Sequence, residues 1–294
     1  SGALPIILGA NIGTTITSTI VAFGYITKGN EFRKAVSAAM AHDMFNILGV
    51  VILFPLELKY HFLQEFSSSL AVIMPTGSGT GSSTFWLGQL FDFIGNSVVS
   101  LSGPLMLIIL SVLLLFGSIK LLSTQVYGQL VGERRQQFQN AVFKNKTRAL
   151  GWGMLLTGIV QSSSLTSSLI VPLVATGKVQ LKRAFHFIMG ANIGTTITAI
   201  LAALFRSEAA MSLAIAHFLF NAIAVLIFFA IPIIGKLPLY LAERLGYMMY
   251  RYRASAFAYI TLAFFVIPFG LIYFSKEETP VEPPKTEVKK EADT

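Results

Sequence analysis

Three stretches of this sequence concentrate polar residues within apolar surroundings, and their types limit the chemistry they could do. Gln161-Ser-Ser-Ser-Leu-Thr-Ser-Ser168 places one carboxamide and six hydroxyls within eight residues. Gly9-Ala-Asn-Ile-Gly-Thr-Thr-Ile-Thr17 and Gly190-Ala-Asn-Ile-Gly-Thr-Thr-Ile-Thr198 are identical to each other. Each offers an asparagine, three threonine hydroxyls and two glycines that let a ligand approach the backbone. Neutral oxygens in such number suit a hard cation such as sodium. Where a half-helix begins at Leu165, its free N–H groups and positive dipole end could hold an oxyanion. Sodium and an anion can therefore share one site. Ser/Thr/Gly packing between membrane helices is the plainer use of these residues. The duplicated motif beside a polar hairpin favours a substrate path.

Other polar positions carry less. His42 and His217 each stand four residues before an asparagine, Asn46 and Asn221. No carboxylate or second histidine lies at ligand spacing, so an interhelical hydrogen bond is expected rather than a metal. Asp43 is the one acid within a presumed span, near a helix start close to Arg33 and Lys34. It is either a functional acid or a structural partner of those cations. The serine cluster has no His or Asp near it in sequence, which speaks against a hydrolase. Gly77, Gly79 and Gly81 lack the Gly-Lys-Ser/Thr ending of a nucleotide loop. Arg206 and Glu208 mark a short external turn, and Trp86, Trp152 and the tyrosines around 247–252 read as interface anchors.

These groups need elements that hold them in an apolar medium. The 294 residues are 54% hydrophobic and only 12% charged, with a mean hydropathy of +0.68. Soluble domains carry about 25% charged residues. The deficit fits a surface that faces lipid, where a central charge costs at least ~2.5–3.5 kcal/mol. The expected class is an all-α polytopic membrane protein. The absence of cysteine excludes a disulfide framework and thiolate metal sites. The net charge of +8 lies in short loops between apolar spans, which gives no footprint for nucleic acid.

A span needs about 20 mostly apolar residues. By that ruler 35–54, 104–122, 185–204, 210–234 and 257–274 read as spans, with 185–204 interrupted by Gly190–Thr196. Residues 16–26, 149–160 and 165–175 are too short to cross. The stretch 57–102 reads as a Ser/Gly-rich connection, loop-like at 75–83, and 236–253 as a basic connection or interfacial amphipathic helix. The tail from Ser275, with three prolines and ten charges, reads as disordered.

Loop charges set the orientation. Arg134, Arg135, Lys144, Lys146 and Arg148 oppose Glu133 alone, so 127–148 is expected to be cytoplasmic. The same holds for Lys178, Lys182 and Arg183, if 149–177 is a re-entrant hairpin, and for Lys236, Arg244, Arg251 and Arg253 against Glu243. Lys28, Arg33 and Lys34 also suit the inside, whereas Lys59 against Glu57, Glu65 and Asp92 suits the outside. One topology satisfies all five loops, with the tail outside.

The two motif copies lie 181 residues apart, and Ala41-His42…Asn46 recurs as Ala216-His217…Asn221 at a shift of 175. In the topology above the segments after the motifs run in opposite directions, as in inverted-topology repeats. Subtracting 181 from Gln161 gives a position before residue 1, so the first copy's hairpin is expected upstream of this chain. The division is then 1–56, remainder of a first repeat; 57–103, external connection; 104–234, second repeat with the hairpin 149–177; 235–274, basic segment and last span; and 275–294, tail.

These residues resemble the type II sodium-dependent phosphate cotransporter family, which pairs a Gln-Ser-Ser-Ser hairpin with a Gly-Ala-Asn-Ile-Gly-Thr motif in each inverted repeat. The likeness extends over Glu31–Ala35, His42–Asn46 with Pro55–Glu57, and the closing Tyr252–Pro268 stretch. The resemblance implies an N-terminally truncated sodium-driven phosphate symporter of the plasma (cell inner) membrane. It implies alternating access with discontinuous helices, phosphate, sodium and lipid as partners, and no organic cofactor. By the same resemblance Gln161, Ser162, Thr195 and Thr198 match sodium positions. Ser163, Ser164 and Asn192 match the phosphate-facing part, with Asn11, Gly13 and Thr14 as first-repeat counterparts. Two alternatives stay open: a channel-like subunit that binds ions passively, and a symporter for another oxyanion such as sulfate.

Overall fold

The computed structural model describes residues 3–74, 141–204 and 206–275, with scattered positions between 106 and 121. Apart from those positions, the expected span 104–122, the loop 127–140, most of the connection beyond Met74 and the tail lie outside the described residues. The described chain is helical and holds no strand. It divides into two units, Ser1–Arg253 and Ala254–Thr294.

The first unit begins with α1 (Ala3–Gly13) and α2 (Ile16–Phe23), then α3 (Asn30–Tyr60) and α4 (Phe62–Ile73). After the undescribed stretch come α5 (Lys146–Val160), α6 (Ser163–Ala175), α7 (Leu181–Ala203), α8 (Glu208–Ala230) and α9 (Pro232–Arg251). Helix α10 (Arg253–Ile260), which lies in the second unit from Ala254 onward, runs through a π-helical turn at 261–266 into α11 (Ile267–Ser275). Pro5–Phe23, α3, α7, α8 and Arg253–Gly270 are long and apolar enough to cross a bilayer.

Helix α3 is the axis of the first unit. Every residue from Ala35 to Asn46 is buried, so no face of that stretch meets solvent or lipid, as in a core helix. It packs on α1, α2, α4, α6, α7, α8 and α9. Phe45 joins three helices, its ring centroid 6.1 Å from Phe185 of α7 and 5.3 Å from Phe228 of α8. Pro55 is carried within α3. Its end turns at His61, which has φ 50°, and Glu57 reaches past that turn. The buried Glu57 carboxylate accepts the Leu63 and Gln64 N–H groups at 2.7 and 3.2 Å, and so supplies α4 with acceptors for its orphan donors.

Three expectations need correction. Residues 185–204 are not interrupted: α7 runs unbroken through Gly190–Thr196. The reason is local, because Thr195, Thr196 and Thr198 donate their hydroxyls back to the carbonyls of Ala191, Ile193 and Thr195, and remain satisfied within a helix. The half-helix starts at Ser163 rather than Leu165, because Ser162 caps it. Within the expected connection 57–102, residues 62–73 form the helix α4, and the loop-like part expected at 75–83 lies outside the described residues. Asp43 is not near a helix start: it lies 0% exposed in the buried stretch of α3.

Candidate functional site

The break between α5 and α6 is built by two residues. Gln161 closes α5 in the left-handed region, φ 57° and ψ 25°, with its N–H donating to the Thr157 carbonyl at 2.7 Å. A non-glycine residue at positive φ is strained and tends to persist where function needs it. Ser162 then turns to an extended conformation, and its Oγ accepts the Leu165 N–H at 3.2 Å. The next two N–H groups, of Ser163 and Ser164, have no acceptor within the helix by geometry. They stand at the positive dipole end together with their own hydroxyls. This arrangement can hold an oxyanion without a cationic side chain.

Helix α6 packs against α2, α3, α5 and α7, so the break is gathered with the helices that carry the two motif copies. Ser163 is buried, Ser162 and Ser164 half-buried, and Gln161 exposed. On α7 the Thr195 and Thr198 hydroxyls spend their protons on backbone carbonyls at 3.0 and 2.7 Å. Their oxygens are thereby left as lone-pair donors, the form a sodium ion would bind. Among the described residues no group of three His, Cys, Asp or Glu could hold a metal.

The two identical motifs differ in shape. The first breaks at Thr14–Thr15 between α1 and α2, and the second stays helical. Gly13 ends α1, and the Thr14 hydroxyl donates to the Asn11 carbonyl at 2.8 Å. A Cβ on Gly190 would run into the Leu150 carbonyl of α5, and one on Gly153 into the Phe187 carbonyl of α7. Around Gly9 and Gly13 the space is open. The second motif thus stays straight against a helix that touches it at its glycines, and the first has no described helix there.

The motif asparagines are tied across the molecule by the two histidines. His42 Nε2 donates to Asn192 Oδ1 at 2.9 Å, and Asn192 Nδ2 donates to Asn46 Oδ1 at 2.7 Å. His217 Nε2 donates to Asn11 Oδ1 at 3.0 Å. Asn46 Nδ2 donates to the Asn11 carbonyl at 2.7 Å, joining the two halves. Each histidine therefore holds the asparagine of the other motif copy. The expected interhelical hydrogen bonds are present, and sequence reasoning missed only that their partners are the motif asparagines. The correspondence is incomplete at one point. By the repeat shifts, the Asn192–Asn46 bond corresponds to one from Asn11 Nδ2 to Asn221 Oδ1. Those two atoms are instead buried without a partner among the described residues, and Asn221 Nδ2 donates to the His217 carbonyl at 3.0 Å.

Sequence reasoning counted Ser167 and Ser168 within the hydroxyl-rich stretch but gave neither a role, and it left out Ser18. Ser167 and Ser168 on α6 and Ser18 on α2 are buried with no hydrogen-bond partner among the described residues, on helices packed together. Buried polar atoms are nearly always satisfied, and neutral hydroxyl oxygens of this kind have the chemistry to bind a hard cation.

Residues 113–279, more than half of the chain, match the Na+/Pi-cotransporter family. The chain belongs to that family. It is 28% identical to sodium-dependent phosphate transport protein 2A of Mus musculus, over 91% of this chain and 54% of that protein. Protein 2B of Homo sapiens is 27% identical, with 92% and 53% covered. Protein 2C of Rattus norvegicus is 28% identical, with 92% and 59% covered. The chain spans about half the length of the relatives it matches. No solved structure matches it. A multi-pass membrane protein whose relatives are named as transport proteins fits the helices described above.

Proposed function

We propose that this chain forms part of a sodium-coupled symporter of inorganic phosphate in the plasma membrane, working by alternating access without an organic cofactor. The observation that carries this is the Gln161–Ser162 break, with its positive-φ Gln161 and its hydroxyls at a helix start whose first N–H groups lack intrahelical acceptors, on a helix packed against α2 and α7. Residues 149–177 form the re-entrant hairpin of this reading, because α5, with 15 residues, is about 22 Å long against a bilayer core of about 30 Å. Sodium is bound by Gln161, Ser162, Thr195 and Thr198, with Ser18, Ser167 and Ser168 completing the oxygen set. Phosphate is held by Ser163 and Ser164, with Asn192 and the first-copy residues Asn11, Gly13 and Thr14. Each amide atom of Asn192 has a protein partner and retains one further hydrogen-bonding position.

Alternating access is supported by the asparagine network. The two motif copies belong, in this proposal, to inverted repeats whose arrangements exchange during transport. One half of the network is closed through Asn192 and Asn46, and the corresponding half is open at Asn11 and Asn221. Exchange would close the second and open the first.

The test is uptake by the full-length protein in proteoliposomes with sodium on one side. Phosphate should accumulate saturably, and sulfate should not compete. Loss of one ligand oxygen, worth about 1 kcal/mol or somewhat more, should shift an apparent constant by about tenfold. Thr195→Val should show that shift in sodium activation, and Ser164→Ala in phosphate affinity. Downhill flux without sodium coupling would overturn the reading, as would wild-type behaviour of both variants.

A further inference from the structure

Two cavities of about 470 Å³ open within the first unit, and they differ in charge. One is lined by Arg33 and Lys34 together with Glu243, so its cations have an acid beside them. The other is lined by Lys146, Lys182, Arg183 and Lys236, with no Asp or Glu among its described lining residues. These four exposed cations come from three separate helices, α5, α7 and α9. Behind them the wall is apolar, made by Phe185, Phe228 and Phe229. Lys146 Nζ lies 4.3 Å from the centroid of the Phe229 ring.

The cavity lies at a defined level. The start of α7 and the end of α8 both line it, and both helices are long and apolar enough to cross a bilayer. Groups at the ends of such helices lie at the headgroup layer. Like charges gathered from three helices repel one another unless an anion sits among them. A free phosphate would satisfy the cations and leave the phenylalanine wall unused. A phospholipid uses both, its phosphate between the cations and its glycerol and first acyl carbons against the rings.

We propose that this cavity is a binding site for the headgroup of an anionic phospholipid from the adjacent leaflet. The site is distinct from the hairpin break and does not depend on the transport reading. Basic pockets between membrane helices are suited to such lipids, at about fivefold in affinity for each cation.

Native mass spectrometry of the purified full-length protein, titrated with phosphatidylglycerol and with phosphatidylcholine, tests the proposal. Phosphatidylglycerol should bind saturably and be preferred by about tenfold or more. Lys182→Gln/Arg183→Gln should remove most of that preference, and Lys236→Gln, on a separate helix, should weaken it independently. Arg251→Gln/Arg253→Gln removes equal charge away from the cavity and should leave binding within about twofold. Equal binding of both lipids would overturn the proposal. So would equal weakening by the two double variants, which is the signature of diffuse surface charge. Displacement of phosphatidylglycerol by inorganic phosphate would assign the cavity to the free anion instead.

Discussion

Asn192 shows how far a single residue's role can be read from its neighbours in sequence. Its carboxamide is held at both ends, by His42 on one side and Asn46 on the other, and all three are buried. Removing His42 leaves Asn192 Oδ1 desolvated and unpaired, a cost of about 1–3 kcal/mol. His42→Ala should therefore lower the thermal unfolding midpoint of the purified protein clearly more than His217→Ala. His217 is only half-buried, and its partner Asn11 already carries one unpaired atom. His42→Gln restores a donor and should recover part of the loss. Equal midpoints for His42→Ala and the wild type would remove the network from any account of stability. The sequence predicted hydrogen bonds for both histidines. It could not name the acceptors, because His42 and Asn192 are 150 residues apart and only the packing of α3 against α7 brings them together.

At the level of the helix, one nine-residue string takes two shapes. Local propensity cannot explain this, since the residues are the same; the neighbour decides. Helix α5 lies so close to α7 that Gly190 and Gly153 each face the other helix's backbone, whereas Gly9 meets open space. Overpacking costs about 1–3 kcal/mol or more where the neighbour cannot give. An exposed Gly→Ala exchange within a helix gains up to about 1 kcal/mol. Gly190→Ala should thus abolish folded, monodisperse protein or lower its unfolding midpoint sharply, while Gly9→Ala should be neutral or mildly stabilising. Similar losses from both would mean that the first copy is packed as tightly as the second. This is also where sequence reading failed for a physical reason. The hydroxyl-rich break after Val160 was legible, because lipid offers nothing to satisfy such groups. The continuity of α7 was not, because its threonines satisfy themselves and its glycines serve a partner helix.

For the molecule as a whole, the loop charges expected four basic stretches on one side, and the second cavity gathers Lys146, Lys182, Arg183 and Lys236 from three of them. Helix α4 lies toward the other end of α8, where Ser67 Oγ and Ser212 Oγ are 3.3 Å apart. Cysteines placed at Ser68 and Lys236 of this cysteine-free chain, both exposed, should therefore react with an impermeant thiol reagent from opposite faces of the membrane. Reaction from one face would dismiss the charge-based topology. The buried stretch of α3 has a further consequence, for biogenesis. A helix with His42, Asp43 and Asn46 at its centre is a poor substrate for an insertion machinery that judges segments singly, since the acid alone costs about 2.5–3.5 kcal/mol. Its polar partner Asn192 is synthesised 146 residues after Asn46. Helix α3 must wait for the second half of the chain to reach its resting place, so membrane integration of this protein is completed by assembly, after the ribosome has made α7.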